Sequence, residues 1–332
     1  PNPAAVTGPL LGLRLPYSAW WAMLAGALAG VLLRFVFSAP PGKAFSAMSM
    51  HFIYLAPIVV AMVTVYLAER SARRSWGYYA VAGAAANVMF VLGTLLILIE
   101  GLICAVLIVP LFMLQGALAG LVMGAVCRWT NWPRRAVYGV GALPILLAGV
   151  LPPAAPHAPV IGSVERTIVI AATPQQVWPQ LLDARAIRAD EVGSAWMYRI
   201  GVPLPESGVT RVVGASLVRE VRMGKSIRFE QVATDWREHA HVRWTYRFAA
   251  DSFPPGALDD HVTIGGRYFD VLDTTYTLTP LATGATELRV RFRYRVSTDF
   301  DWYAEPIARG LIADFEEVIL GFYRQRVLAS NG

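Results

Sequence analysis

The chain has 332 residues, of which 55% are hydrophobic and 16% are charged. Its mean hydropathy of +0.46 excludes an ordinary soluble enzyme. The net charge of +6 does not indicate a nucleic-acid partner, because residues 1–152 hold 9 Lys and Arg against 2 Asp and Glu, whereas residues 153–332 hold 20 against 21. The positive charge belongs to the short loops of an apolar half, where it is a topology signal.

Apolar runs dominate the chain up to residue 151. They lie at about 18–37, 47–68, 78–99, 101–126 and 136–151. Four of them are long enough to cross roughly 30 Å of hydrocarbon as helices, and the fifth is marginal. The sequence therefore predicts an N-terminal α-helical transmembrane domain of about five helices over residues 1–151. Glycines four residues apart in the first and fourth runs predict close helix packing.

Basic loops predict the orientation of these helices. The basic residues form two clusters, which are Arg70, Arg73 and Arg74 after the second run, and Arg128, Arg134 and Arg135 after the fourth. The positive-inside rule places both clusters in the cytoplasm. An odd number of spans then places the C-terminal half in the periplasm of a bacterium, with the chain multi-pass in the inner membrane. A fifth run that does not span would reverse this side.

Five polar residues interrupt the apolar runs. Arg34, His51 and Glu100 are expected near the outer helix ends, where they either pair or snorkel, or form a docking patch or ligand portal. Asn87 and Gln115 lie deeper and are expected to form hydrogen bonds between helices.

A Pro- and Ala-rich linker, residues 152–162, leads to a region of different pattern. A strand is predicted at 165–172, and Thr173, Pro174 and Gln176 predict the capped start of a helix. Further strands are predicted at about 210–222, 225–234, 239–248, 267–279 and 286–297. The last predicted element, at about 301–328, is a long amphipathic helix.

This order of elements resembles a known superfamily over about residues 165–328. The stretches IVIAATPQQVWPQLLD and GGRYFDVLDTTYTLTPLATGATELRV, followed by the final helix, resemble START-like proteins, known in bacteria as SRPBCC or polyketide cyclase-like proteins. The resemblance implies an α+β helix-grip domain over 163–332, a curved antiparallel sheet around the long C-terminal helix with a hydrophobic cavity between them. Members bind lipids, sterols, polyketides or other apolar molecules, and only some are enzymes.

Alternation along two strands suggests which residues would line such a cavity. Residues 239–248 and 288–296 each show one apolar or aromatic face and one basic face. The candidate ligand-binding residues are Trp244, Tyr246, Phe248, Tyr268, Asp270, Tyr276, Phe292, Tyr294, Leu311 and Phe315. Plain core packing is the alternative interpretation of each aromatic residue.

Residues able to carry chemistry are few. Asp270 is a weak catalytic candidate, since a carboxylate among aromatics could act as acid or base, although pairing with Arg199 or Arg247 is the alternative. His239 and His241 have the spacing of a metal-binding strand pair, but basic neighbours would repel a cation. We therefore expect no metal and no cofactor.

The basic sheet face also has two interpretations. It is either solvated and balanced by Glu230 and Asp273, or it meets anionic lipid headgroups or a partner subunit.

The sequence favours a membrane-anchored START-like domain that binds a hydrophobic ligand, lipid or polyketide-like, at the membrane surface. The long helix and the segment 251–266 would form the lid. The expected partners are membrane lipids and a hydrophobic small molecule. Two alternatives remain, a cyclase- or hydratase-type enzyme with a polar residue in the cavity, and a non-catalytic accessory subunit that binds a membrane-protein partner.

Overall fold

The structure is a computed structural model that describes residues 17–37, 48–130, 158–259 and 261–331. The chain divides into two compact units, one mainly of residues 1–154 and one mainly of residues 155–332. The fifth apolar run at 136–151 and most of the linker at 152–162 lie outside the described residues. The predicted domain boundaries at 151 and 163 therefore stay predictions.

The first unit is helical. Its described helices are α1 (Tyr17–Val36), α2 (Met50–Ser71), α3 (Trp76–Leu96) and α4 (Leu102–Trp129). Within the described part of the chain, α2, α3 and α4 are the three helices long and apolar enough to cross a membrane. Helix α1 has 20 residues, and within it the stretch Trp20–Phe35 is a further, shorter apolar helix. The prediction of about five spans is wrong for the described residues, which support three.

Close contacts between helices occur at the glycines, as predicted. A Cβ built on Gly116 of α4 would lie 2.5 Å from the carbonyl oxygen of Gly83 in α3. Asn87 also forms the predicted bond between helices, because its Nδ2 donates to the carbonyl oxygen of Pro57 in α2 at 3.1 Å. The expectation for Gln115 is wrong for its carbonyl oxygen, which is buried without a partner among the described residues.

Hydrogen-bonded polar side chains connect the helices at one end of this helical unit. Glu69 accepts hydrogen bonds from the Tyr79 hydroxyl at 2.8 Å and from the Arg74 N–H at 2.7 Å. Arg128 at the end of α4 donates to the Arg74 carbonyl at 2.7 Å. The two basic clusters, as far as they are described, therefore lie at the same end of the unit. Elsewhere in this unit, Arg34 pairs with Glu100 at 2.6 Å, which confirms the pairing interpretation for these two residues.

The second unit is an antiparallel sheet with a long C-terminal helix. Its elements are β1 (Val160–Ile170), α5 (Pro174–Leu182), α6 (Ala189–Val192), α7 (Trp196–Arg199), β2 (Pro205–Val213), β3 (Ser216–Met223), β4 (Ile227–Arg237), β5 (His241–Arg247), β6 (Phe269–Pro280), β7 (Thr286–Val296) and α8 (Asp301–Asn331). The described strands form one seven-stranded sheet in the order β1-β7-β6-β5-β4-β3-β2. Helix α8 packs against β1, β7 and α5. This arrangement is consistent with the expected helix-grip fold.

Turn chemistry explains two boundaries of this unit. The Thr173 N–H donates to the Gln176 side chain at 2.9 Å, which fixes the start of α5 as predicted. The single strand predicted at 210–222 is wrong, because the chain turns between β2 and β3 at Gly214, whose φ is +61°. A positive φ of this kind favours glycine.

A β-bulge decides which residues of β6 face α8. Val271 pairs with Tyr294 and Asp273 with Arg293, so Leu272 has no partner in the register. Because one extra residue reverses the alternation, the inward residues are Val271 before the bulge and Thr274 after it.

Candidate functional site

Aromatic side chains cover the inner face of the sheet beneath α8. Trp244 and Tyr294 are fully buried, and Tyr276 and Phe292 are nearly so. The Phe292 ring meets the Phe315 ring of α8 edge-on at 5.5 Å between centroids. These rings form an apolar wall of the kind that lines pockets for hydrophobic ligands, and they also form the domain core.

The two halves of α8 pack differently against this wall. In the C-terminal half the residues that contact the sheet are buried, namely Ile319, Leu320, Phe322, Tyr323 and Val327. In the N-terminal half Ile312 is buried, but most of the residues that touch the core are only half-buried, and they include Ala304, Ala308 and Phe315. Of the described residues along α8, those of the N-terminal half are therefore the less buried against the sheet.

A row of polar side chains crosses the inner face on strands β3 to β6. Arg219 pairs in register with Gln231, and Gln231 with Tyr246. The hydroxyls of Tyr246 and Thr274 lie 2.6 Å apart. Arg219 is 5% exposed, and its guanidinium lies 4.8 Å from the centroid of the Trp244 ring. The otherwise aromatic inner face therefore also contains polar side chains.

The tyrosines of this row are neutral at physiological pH. Burial raises the pKa of Tyr246 to about 12, although the hydrogen bond with the Thr274 hydroxyl lowers this pKa. Burial also raises the pKa of Tyr276 well above its ordinary value. Both hydroxyls can therefore donate hydrogen bonds at pH 7, and neither supplies a negative charge near Arg219.

A buried carboxyl group lies on the α8 side of the inner face. Glu316 is fully buried, and its Oε1 accepts the Phe292 N–H at 3.1 Å. Its Oε2 has no hydrogen-bond partner among the described residues. Burial raises the pKa of Glu316 to about 8, although the Phe292 N–H and the charge of Arg166 favour the ionised form. The Glu316 carboxyl group is therefore largely protonated at pH 7.

The predicted lid segment packs against one edge of the aromatic wall. Ala257 and Ser252 are buried, and Phe253 lies 5.4 Å from Phe248 between ring centroids. Phe248 and Tyr246 stack at 6.3 Å. Residue 260 of this segment lies outside the described residues. The segment thus shares the apolar cluster of β4 and β5, and its action as a lid stays a prediction.

The structure corrects the expected position of Asp270. Asp270 is half-exposed and pairs in register with Arg295, on the face opposite Val271, because the bulge at Leu272 reverses the alternation. Its carboxylate accepts the Gly265 N–H at 2.8 Å, so the partner is a backbone amide at the end of the 251–266 segment. The expected partner Arg247 instead binds Glu230 at 2.5 Å.

The other candidate ligand-binding residues are divided between the inner face and its surroundings. Trp244, Tyr276, Phe292 and Tyr294 belong to the buried core, with Tyr246 and Phe315 packed against it. Phe248 belongs to the second cluster. Leu311 is half-buried on α8, and Tyr268 stacks with His261 rather than with the core. Ligand binding by any of these residues stays a prediction.

Neither the histidine pair nor the basic face forms a separate site. His239 lies in the turn before β5 with a φ of +59°, so it does not share a strand face with His241 as expected. No group of three metal-binding side chains occurs among the described residues. On the basic face, Arg293 binds Asp273 at 2.9 Å and Arg247 binds Glu230. Both carboxylates named as balancing groups do contact arginines of this face.

Arg219, Gln231, Thr274 and Glu316 were missed by the sequence interpretation. A signal for Arg219 was present, because it alternates with apolar Leu217, Val221 and Met223. An arginine on an otherwise apolar strand face points inward and needs an explanation.

Comparison with known proteins agrees with this geometry. Residues 162–325 match the family model described as "Polyketide cyclase / dehydrase and lipid transport", and the N-terminal part matches no family model. No curated protein matches the chain.

Solved structures similar to the chain cover about half of it. They include a protein from Thermus thermophilus (17% identity, TM-score 0.34, covering 52% of this chain and 100% of that one). A Streptomyces protein titled Zhui aromatase/cyclase has 16% identity, a TM-score of 0.32, and coverage of 52% and 99%. A START superfamily protein from Mycobacterium smegmatis has 16% identity, a TM-score of 0.33, and coverage of 50% and 97%. At these values the similarities carry no information about function. On the family match and the sheet-and-helix architecture, residues 162–325 belong to the START/polyketide cyclase superfamily.

Proposed function

We propose that this protein is a membrane-anchored START-like domain that binds a hydrophobic small molecule, lipid or polyketide-like, at the membrane surface. The observation that carries the proposal is the aromatic inner face beneath the less buried N-terminal half of α8. The apolar helices α2, α3 and α4 supply the membrane association.

Apolar burial would drive binding. Each Å² of apolar surface removed from water contributes about 25 cal/mol, so a ligand that leaves the bilayer needs a wall as apolar as the lipid chains. The inner face offers such a wall in Phe292, Tyr294 and Phe315. Ala304 and Ala308 on α8 present short side chains to this wall.

Mass spectrometry of small molecules that copurify with the intact protein tests this proposal. The variant Ala308→Trp should place a bulky ring between α8 and the aromatic wall and reduce the amount of bound molecule by about tenfold or more, as expected from roughly 1.4 kcal/mol per factor of ten. Ala329→Trp is the matched control, because it places the same side chain on an exposed position of the same helix. Failure of the delipidated wild-type protein to take up any lipid or hydrophobic probe would refute the proposal.

The side of the membrane is part of the proposal. With both arginine clusters in the cytoplasm, α4 ends on the cytoplasmic side, and a fifth span over 136–151 then places the C-terminal domain in the periplasm of a bacterial inner membrane. Ser330→Cys, at an exposed position near the end of α8, should react in whole cells with a maleimide that cannot cross the inner membrane. Labelling only after the inner membrane is broken would place the domain in the cytoplasm.

An enzyme of cyclase or hydratase type is the second candidate. It is favoured by the Tyr246–Thr274 hydroxyl pair, which lies on the inner face beside Arg219. A positioned hydroxyl of this kind can take part in proton transfer. In that case Tyr246→Phe should retain the ligand but accumulate an unreacted precursor, which mass spectrometry would distinguish from the molecule bound to the wild-type protein. Identical bound molecules in both proteins would contradict the enzyme hypothesis.

A further inference from the structure

The polar row on the inner face contains hydrogen-bond donors that have no acceptor among the described residues. Within that part of the chain, Nε and Nη2 of Arg219 are buried without a partner, and so is Nε1 of Trp244. The remaining Arg219 nitrogen, Nη1, donates to the Gln231 side chain at a long 3.4 Å. All three unpartnered groups are N–H donors. They lie close together, since the Arg219 guanidinium is 4.8 Å from the centroid of the Trp244 ring.

The charge of Arg219 is also unbalanced. Within the part of the chain that the structure describes, no carboxylate forms an ion pair with Arg219. The nearby tyrosines are neutral, and Asp273, the nearest acidic residue that affects Tyr246, is engaged with Arg243 and Arg293. A buried guanidinium without a counter-ion is costly, since several kcal/mol of desolvation are not offset.

The two guanidinium nitrogens without a partner in the described part of the chain, Nε and Nη2, indicate which chemical group of a ligand would bind Arg219. Nε and Nη2 form one edge of the planar guanidinium, and this edge binds two oxygens side by side. A single positive charge is balanced by one negative charge. A carboxylate satisfies both conditions.

We propose that Arg219 anchors the carboxylate head of an otherwise apolar ligand, held side-on by Nε and Nη2 with Trp244 Nε1 as a neighbouring donor. The apolar tail then lies along the aromatic wall toward the less buried N-terminal half of α8. This inference rests on the proposed function and adds the class of ligand, which is a singly charged amphiphilic acid.

Binding of radiolabelled decanoic acid and methyl decanoate to the full chain in lipid nanodiscs at pH 8 tests the inference, with empty nanodiscs as background. The wild-type protein should bind the acid at least about tenfold more tightly than the ester, since a hydrogen bond to a charged group contributes roughly 1.5–3 kcal/mol. Arg219→Met should weaken acid binding by about the same factor and leave ester binding within about twofold. Arg222→Met is the matched control, since Arg222 is an exposed arginine on the same strand, paired with Glu220.

A second variant protects the test against misfolding. Arg219→Lys keeps the charge but loses the paired donors, and it should bind the acid several-fold more weakly than the wild-type protein. Decyl phosphate, which is doubly charged at pH 8, should bind more weakly than decanoic acid.

The outcomes separate the two proposals. Equal binding of acid and ester by the wild-type protein, unchanged acid binding by both Arg219 variants, or tighter binding of decyl phosphate would overturn the carboxylate assignment and leave hydrophobic-ligand binding intact. Binding of none of these ligands would overturn both.

Discussion

Glu316 should make the stability of the C-terminal domain fall as the pH rises. Burial raises the pKa of Glu316 from 4.5 to about 8, so between these values the unfolded chain ionises and the folded chain retains the proton. The folded state then binds more protons than the unfolded state, and stability decreases with rising pH. The loss begins near pH 4.5 and is complete above about pH 8.

The magnitude follows from the difference between the two pKa values. About 3.5 pH units at 1.36 kcal/mol each give an upper limit of about 5 kcal/mol, and partial relaxation around the carboxylate should reduce this to about 2–4 kcal/mol. Two charged groups on β1 act on Glu316, with Arg166 favouring the ionised form and Glu165 opposing it. Both remain in a variant at position 316, so a difference measurement isolates the Glu316 carboxyl group.

Pulse proteolysis in urea on the full chain in detergent measures this effect, with a C-terminal tag to follow the domain from pH 5 to pH 9. Glu316→Gln should unfold at a urea concentration that changes less with pH than that of the wild-type protein. Glu317→Gln is the matched control, because the Glu317 side chain is 70% exposed and should leave the pH dependence unchanged. The same pH dependence in wild type and Glu316→Gln would refute the assignment of a raised pKa to this group.

Three further predictions concern other contacts. Arg219→Met should raise the apparent melting temperature of the ligand-free protein by about 2–6 °C, because it removes an unpaired buried charge; a lower value by differential scanning fluorimetry would contradict this. Gly116→Leu should lower that temperature because a Cβ there would lie 2.5 Å from a backbone oxygen of α3, whereas Gly77→Leu, whose Cβ would have its nearest neighbour at 4.0 Å, should not. Asp270→Ala removes the acceptor of the Gly265 N–H and should speed hydrogen exchange in 251–266 about fivefold, as expected for roughly 1 kcal/mol; unchanged exchange by mass spectrometry would show that this bond does not hold the segment.

Regular alternation allowed the inner face of some strands to be predicted. Trp244 of β5 and Phe292 and Tyr294 of β7 face the core as expected, because the extra residues of the neighbouring bulges lie in β4 and β6, so that β5 and β7 themselves keep a strict alternation. The capped start of α5 was predictable because a local hydrogen bond between Thr173 and Gln176 creates it.

Non-local geometry accounts for the failures. The bulge at Leu272 results from pairing with β7, and nothing in the local pattern of β6 marks it, so Tyr268 and Asp270 were assigned to the wrong face. Arg219 was missed because an arginine counts as polar in any pattern of hydrophobicity, although its inward position depends on Trp244 and Gln231 from other strands. Three of the five predicted spans are supported among the described residues, and the fifth run lies outside them.

The bulge in β6 also separates two parts of the domain that could otherwise not change independently. Before the bulge, the alternation of side chains continues that of the connection from the 251–266 segment up to Val271. After the bulge, the alternation restarts at Thr274, which faces the core. The whole stretch 251–272 could therefore be replaced by one of a different length or polarity. If the new stretch also ends in an unpaired residue, Thr274, Tyr276 and Leu278 keep their inward positions. In evolutionary terms, the segment 251–266 before the bulge can change in sequence while the aromatic wall after it is retained.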